Sequence, residues 1–97
     1  MGAVYVSDHP LVQHKLSLLR DIRTEPKKFR ELVREVSMLI ACEATRDLQL
    51  APKSVTTPMG ECQGVELAEK VGLVPILRAG LGMMQGVWEM MPSAEVW

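Results

Sequence analysis

Two helical periods open the chain, and a different pattern replaces them near residue 48. Leu11, Lys15, Leu16, Leu19 and Ile22 recur at helical spacing, which predicts a helix over Pro10–Ile22 with one apolar stripe. Asp8 before Pro10 reads as its start: an acceptor side chain, then a proline whose fixed φ suits the first turn. Thr24-Glu25-Pro26 repeats the signal. Phe29, Leu32, Val33, Val36, Leu39, Ile40 and Ala44 then trace one face, with Lys28, Arg30, Glu31, Arg34 and Glu35 on the other. That segregation predicts a second amphipathic helix over Pro26–Asp47.

Glycine and proline punctuation follows. Pro52, Pro58 and Gly60 flank Lys53–Thr57, and Gly64 interrupts Glu61–Leu67, so two short strands around a Thr-Pro-Met-Gly turn are expected as a hairpin or arm. Gly72–Leu77 is apolar throughout, which predicts a buried strand of the parallel kind. Pro75 within it removes one ladder donor. Leu81–Met91 reads as a helix stopped by Pro92, and Val96 and Trp97 as the opening of another strand. The fold class is α/β. The expected divisions are a helical pair over 8–48, a β hairpin over 49–69 and a strand–loop–helix unit over 70–97, within a single partial domain.

Composition narrows the functional classes. The 97 residues carry a formal net charge of −1 with both signs interspersed, so no broad positive field is offered to nucleic acid. The four aromatic residues (Tyr5, Phe29, Trp88, Trp97) are too scattered for a base-stacking platform. Apolar runs fall short of the ~20 residues of a membrane span. Nothing at the N-terminus resembles a secretory signal. Cys42 and Cys62 read as free thiols in a reducing compartment, most simply the cytoplasm. Of the seven methionines, Met83, Met84, Met90 and Met91 lie too close together to share one helix face, so some require a neighbour.

The chemistry concentrates in Val74–Met84, reading Val-Pro-Ile-Leu-Arg-Ala-Gly-Leu-Gly-Met-Met. Arg78 stands at the carboxyl end of the expected strand, where open α/β sheets place ligands. Its guanidinium fork matches phosphate oxygens two at a time. Gly80 and Gly82 allow a tight turn and close backbone approach. A helix start offers unpaired N–H groups to the same spot. Together these features point to a phosphate or diphosphate. The pattern alone leaves open a plain strand-to-helix turn with a solvated arginine. It excludes the dinucleotide fingerprint, which needs a third glycine, and the P-loop, which needs Gly-Lys-Ser/Thr.

Other residues carry less. His9 and His14 lie five apart without a cysteine pair or acidic cluster, a poor metal site. Cys42 reads as a packing residue, and Lys27, Lys28 and Arg30 as a solvated run. Glu43, between Ile40 and Ala44, is either a partner for a buried arginine or an edge-of-face carboxylate.

Four segments, in order, carry a resemblance: His9–Leu16 (His-Pro-Leu-Val-Gln-His-Lys-Leu), Phe29–Val36 (Phe-Arg-Glu-Leu-Val-Arg-Glu-Val), Glu43–Leu48 (Glu-Ala-Thr-Arg-Asp-Leu) and Val74–Met84. The chain resembles the N-terminal part of a uracil phosphoribosyltransferase, with Cys42 standing where many relatives have tyrosine. The resemblance implies a type I phosphoribosyltransferase fold, a mainly parallel sheet flanked by helices, of which a truncated N-terminal part is expected here. It implies transfer of ribose 5-phosphate from phosphoribosyl diphosphate (PRPP) to N1 of uracil, with Mg²⁺, giving UMP and diphosphate. Leu77, Arg78, Ala79 and Gly80 match the diphosphate-binding loop, and Arg78 would neutralise the leaving group.

The resemblance also implies absences. The family's second arginine, its Ala-Thr-Gly-Gly-type ribose-phosphate loop and its uracil-reading segment all lie beyond Trp97. The chain alone is therefore expected to be inactive. The alternative is a non-catalytic interaction or anion-binding module derived from the family, and a less favoured one is a relative acting on another base. Homodimers or higher homo-oligomers, and GTP activation in some members, are further family expectations.

Overall fold

The computed structural model describes residues 2–97, which form three helices and two separate two-stranded sheets. Helix α1 spans Pro10–Arg20 and α2 spans Pro26–Ala44. Strands β1 (Leu50–Thr57) and β2 (Gly60–Leu67) pair as an antiparallel hairpin. Strand β3 (Gly72–Leu73), helix α3 (Gly80–Met90) and strand β4 (Glu95–Val96) complete the chain.

Both early helices end sooner than their apolar periods suggest. Helix α1 stops at Arg20, and Asp21 captures the next turn by accepting from the Arg23 backbone N–H at 2.9 Å and from its guanidinium. Ile22, expected on the stripe, is 98% exposed. Helix α2 ends at Ala44 because Arg46 and Leu48 N–H groups turn to carbonyls three residues back. The start of α1 also differs: His9, not Asp8, is the cap, its Nδ1 accepting the Leu11 N–H at 3.1 Å.

The core is small and centred on α2. Val12 of α1 and Leu32, Val36, Ser37 and Ala41 of α2 are buried. The Ser37 hydroxyl donates to the Val33 carbonyl at 2.7 Å, which satisfies it inside the core. Lys15 of α1 reaches Glu35 of α2 at 2.9 Å. On another side α2 meets α3, where small residues permit close approach. A Cβ on Gly82 would sit 3.5 Å from the Val33 Cγ1, and one on Gly86 would collide with the Arg34 carbonyl. Cys42 Sγ lies 3.6 Å from Met90 Sδ across the same seam, so its contact is one of packing. Because α2 is covered from two directions, small residues join Leu32 and Val36 in the core while Phe29 and Ile40 stay exposed.

The hairpin follows the expected turn chemistry. Thr57 and Gly60 close it, with Gly60 at φ 118°, where a side chain is disfavoured. The Thr57 hydroxyl donates to the Gly60 carbonyl at 2.7 Å and accepts the Met59 N–H at 3.2 Å. Pro52 sits inside β1 opposite Val65, tolerated because both strands of a lone hairpin are edges.

The expected buried strand Gly72–Leu77 needs the largest correction. Only Gly72 and Leu73 pair, in parallel with Glu95 and Val96. Val74 and Ile76 are 71% and 83% exposed. Pro75 cannot donate to a ladder, and β4 supplies partners for two positions only. The Glu95 and Trp97 N–H groups extend the pairing to the carbonyls of Val71 and Leu73, at 3.0 and 2.9 Å. The unit is thus β-α-β in parallel, the start of an α/β layer. The Cα radius of gyration is 16.9 Å, against ~12.5 Å for a compact chain of this length; the projecting hairpin and thin β-α-β unit account for the excess.

Candidate functional site

Between β3 and α3 the chain makes a tight bend. Pro75 ends the run of potential ladder donors, and Leu77–Ala79 form the turn itself. The Gly80 N–H donates to the Ile76 carbonyl at 2.8 Å, and the Leu81 N–H to the Arg78 carbonyl at 3.0 Å. Gly80 lies against Pro75, where an added Cβ would meet three Pro75 atoms at 3.4 Å. That glycine lets the bend close on itself. The peptide joining Leu77 and Arg78 is cis.

The four residues expected to bind diphosphate are therefore contiguous but not equivalent. Leu77, Arg78 and Ala79 are exposed, and no backbone hydrogen bond takes up their N–H groups among the described residues. Gly80 is half-buried, and its N–H is committed to Ile76. Ala79 precedes α3 with no side chain to cap it, so the first-turn amides have no acceptor of that kind. Arg78 forms no ion pair among the described residues. An exposed guanidinium beside uncapped amides can receive an anion's oxygens without first breaking a salt bridge.

Gly82 does not belong to this turn. It faces Val33 of α2, so its missing side chain serves helix packing rather than ligand approach. The pattern Gly82-x-x-x-Gly86, one helical turn apart, was the available signal.

The packing brings further positive charge near the turn. Lys27, Arg30 and Arg34 of α2, with the Glu31 carboxylate among them, border a hollow of about 400 Å³ together with Ala79, Gly82 and Gln85. Arg34 also approaches Glu89 at 3.7 Å, while Lys27 and Arg30 form no ion pair among the described residues. Lys27, Lys28 and Arg30, expected in solvent, are all exposed, but periodicity alone does not show the proximity of Lys27 and Arg30 to Ala79. On the opposite side of the turn, a groove of about 580 Å³ runs between Val74–Leu77 and Met83, Met84 and Val87 of α3.

The remaining candidates lie elsewhere. Glu43 is exposed and accepts the Ser7 hydroxyl at 2.7 Å, so it is an edge carboxylate rather than an arginine's buried partner. Among the described residues no group of three or more His, Cys, Asp or Glu side chains is arranged to hold a metal ion. No helix is long and apolar enough to cross a membrane.

Comparison with known proteins identifies a family. The profile described as uracil phosphoribosyltransferase matches residues 6–97. A uracil phosphoribosyltransferase of Roseiflexus sp. (strain RS-1) is 58% identical over 97 residues, 100% of this chain and 47% of the relative. One from Shouchella clausii is 56% identical over 99% of this chain and 46% of the relative. Among solved structures, the AQ2163 protein from Aquifex aeolicus superposes with a TM-score of 0.87 at 36% identity, covering 96% of this chain and 45% of that one. The chain thus spans about half the length of the curated relatives it matches.

Proposed function

The chain belongs to the uracil phosphoribosyltransferase family, and on that premise we propose that its Leu77–Gly80 turn binds the diphosphate of PRPP during transfer of ribose 5-phosphate to uracil. The observation that carries this reading is the exposed Arg78, without an ion pair among the described residues, between amides that lack backbone partners among them, directly before the uncapped start of α3.

In the transfer, the bond from ribose C1′ to the diphosphate oxygen breaks and a bond from C1′ to uracil N1 forms. The N1 proton departs, and the diphosphate leaves with the electron pair of the broken bond. Negative charge therefore grows on the diphosphate oxygens as the reaction proceeds. A guanidinium fixed beside them stabilises that charge more in the transition state than in the bound substrate, which is the condition for faster turnover. The backbone N–H groups of Arg78 and Ala79 supplement it, whereas the Gly80 N–H serves the bend. Its role is to hold the turn closed against Pro75.

Magnesium is the family's companion of PRPP. The described residues offer no carboxylate cluster for it. Uracil recognition and the ribose-phosphate contacts are assigned to parts of the protein other than these 97 residues, so the chain alone is proposed to be inactive. Homo-oligomerisation, GTP activation and a cytoplasmic location extend the proposal by family membership.

The test is a chimera joining this chain to the remaining half of the Roseiflexus sp. relative. UMP formation from uracil and PRPP, greatly reduced by Arg78→Ala, is expected. A folded chimera with activity unaffected by Arg78→Ala would remove Arg78 from the mechanism.

A further inference from the structure

Arg78 owes its place to helix α3. The Leu81 N–H donates to the Arg78 carbonyl at 3.0 Å and the Gly80 N–H to the Ile76 carbonyl at 2.8 Å, so the bend is continuous with the first turn of the helix. Whatever moves α3 moves the point from which the guanidinium extends. The principal packing partner of α3 is α2. The seam between the two helices is therefore where that position is set.

The seam has no slack at one residue. Gly86 is buried, and a Cβ on it would stand 3.2 Å from the Arg34 Cα and carbonyl carbon, and closer still to the carbonyl oxygen. All three atoms are main chain held within α2, so relief requires α3 itself to lift or slide. At Gly82, one turn nearer to Arg78, a Cβ would meet the Val33 Cγ1 at an ordinary 3.5 Å. Backbone thus rests on backbone at Gly86, six residues and about 9 Å of helix from Gly80. The ion pair across the same seam is a poor substitute. Arg34 Nε and Glu89 Oε1 stand 3.7 Å apart with both side chains about half exposed, where water screens the attraction.

We infer that Gly86 is a positioning residue for the proposed transfer: by letting α3 rest on the α2 backbone, it sets where Arg78 stands relative to the reacting ribose carbon. The inference rests on the diphosphate reading of Arg78 and deepens it. Growing charge on the leaving group is met only by a guanidinium held within about 0.5 Å of its productive place. A displaced turn keeps its own amides and guanidinium together, so it still binds diphosphate. What it loses is alignment with the ribose carbon, which lowers kcat more than it raises KM for PRPP.

The test uses the chimera with the remaining half of the Roseiflexus sp. relative, assayed well below its melting temperature. Gly86→Ala is expected to lower kcat by roughly 10–100-fold, the scale of a misplacement approaching 1 Å, with a smaller change in KM for PRPP. Gly82→Val presses its extra methyl groups on Val33 and is expected to lower kcat too. Adding Val33→Ala should recover most of that loss by returning the volume. A purely local effect of Gly82→Val on the turn would not respond to a change in α2. Val12→Ala removes buried methyl groups on the α1 side of α2; it lowers the melting temperature and leaves kcat unchanged, which separates positioning from stability. Full kcat in folded Gly86→Ala, or no recovery on adding Val33→Ala, would overturn the inference. Should Gly86→Ala fail to fold, the comparison of Gly82→Val with and without Val33→Ala decides. Arg78→Ala separates the two readings. Undiminished turnover removes the diphosphate role and this inference with it, whereas impaired turnover beside a fully active Gly86→Ala removes this inference alone.

Discussion

Gly86 of α3 lies so close to the Arg34 carbonyl of α2 that a single methyl group has no room between them. The obstructing atom is backbone, which cannot rotate aside as a flexible side chain could. Gly86→Ala must therefore push the helices apart, with an expected loss of about 1–3 kcal/mol. Gly82→Ala is different, since its added methyl would meet Val33 at an ordinary 3.5 Å. There the better helix propensity of alanine, worth about 0.5–1 kcal/mol, offsets any crowding. Urea unfolding of the two variants should rank Gly82→Ala well above Gly86→Ala. Equal midpoints would show that this seam is not tightly packed.

The ion pair joining α1 to α2 predicts a pH dependence. Hydrogen bonding from Lys15 holds the Glu35 carboxyl below its ordinary pKa. A lowered folded-state value means that the contribution is present above the unfolded pKa, about 4 for glutamate. It is lost as pH falls through the folded value. The pair is partly exposed, so screening limits it to about 0.5 kcal/mol. Glu35→Gln should be slightly less stable than the parent at pH 7, and the gap should narrow steadily below pH ~5. A gap that widens on acidification would contradict the assignment.

At the hairpin turn, Gly60 has φ 118°, a conformation that costs a side chain about 1–3 kcal/mol. Gly60→Ala should accelerate amide exchange in β1 and β2. The helices pack separately from the hairpin and should keep their protection. Uniform loss across both regions would mean that hairpin and helices unfold together.

In the chimeric enzyme, Arg78→Ala should lower kcat/KM by roughly 10²–10³-fold, the usual effect of removing one transition-state donor. Arg78→Lys keeps the charge but not the planar fork, so an intermediate loss is expected. Arg78 is exposed and makes no ion pair among the described residues, so neither change should shift the melting temperature.

How legible this architecture is in the sequence varies with the range of the interactions. Helices α1 and α2 follow from local periodicity, and the Thr57–Gly60 turn from residues that tolerate only a few conformations. The His9 cap was hidden behind Asp8, because either side chain can accept an amide and only the local geometry selects between them. Gly72–Leu77 reads as buried because apolar residues ordinarily are. Burial depends on a covering layer, however, and within this chain β4 meets only two of those positions. The turn around Arg78 was visible as a motif, whereas the approach of Lys27 and Arg30 arises only when α3 docks on α2. The packing role of Gly82 is hidden for the same reason: its neighbour is Val33, far away in sequence.

The most direct test of the central claim is an amide-resolved titration of the ¹⁵N-labelled chain with inorganic diphosphate, repeated with Arg78→Ala. Saturable shifts confined to the Leu77–Met83 amides, abolished by the substitution, are the predicted result. Shifts that are absent, that spread over the lysine and arginine surface, or that persist in Arg78→Ala would contradict a diphosphate site at this turn.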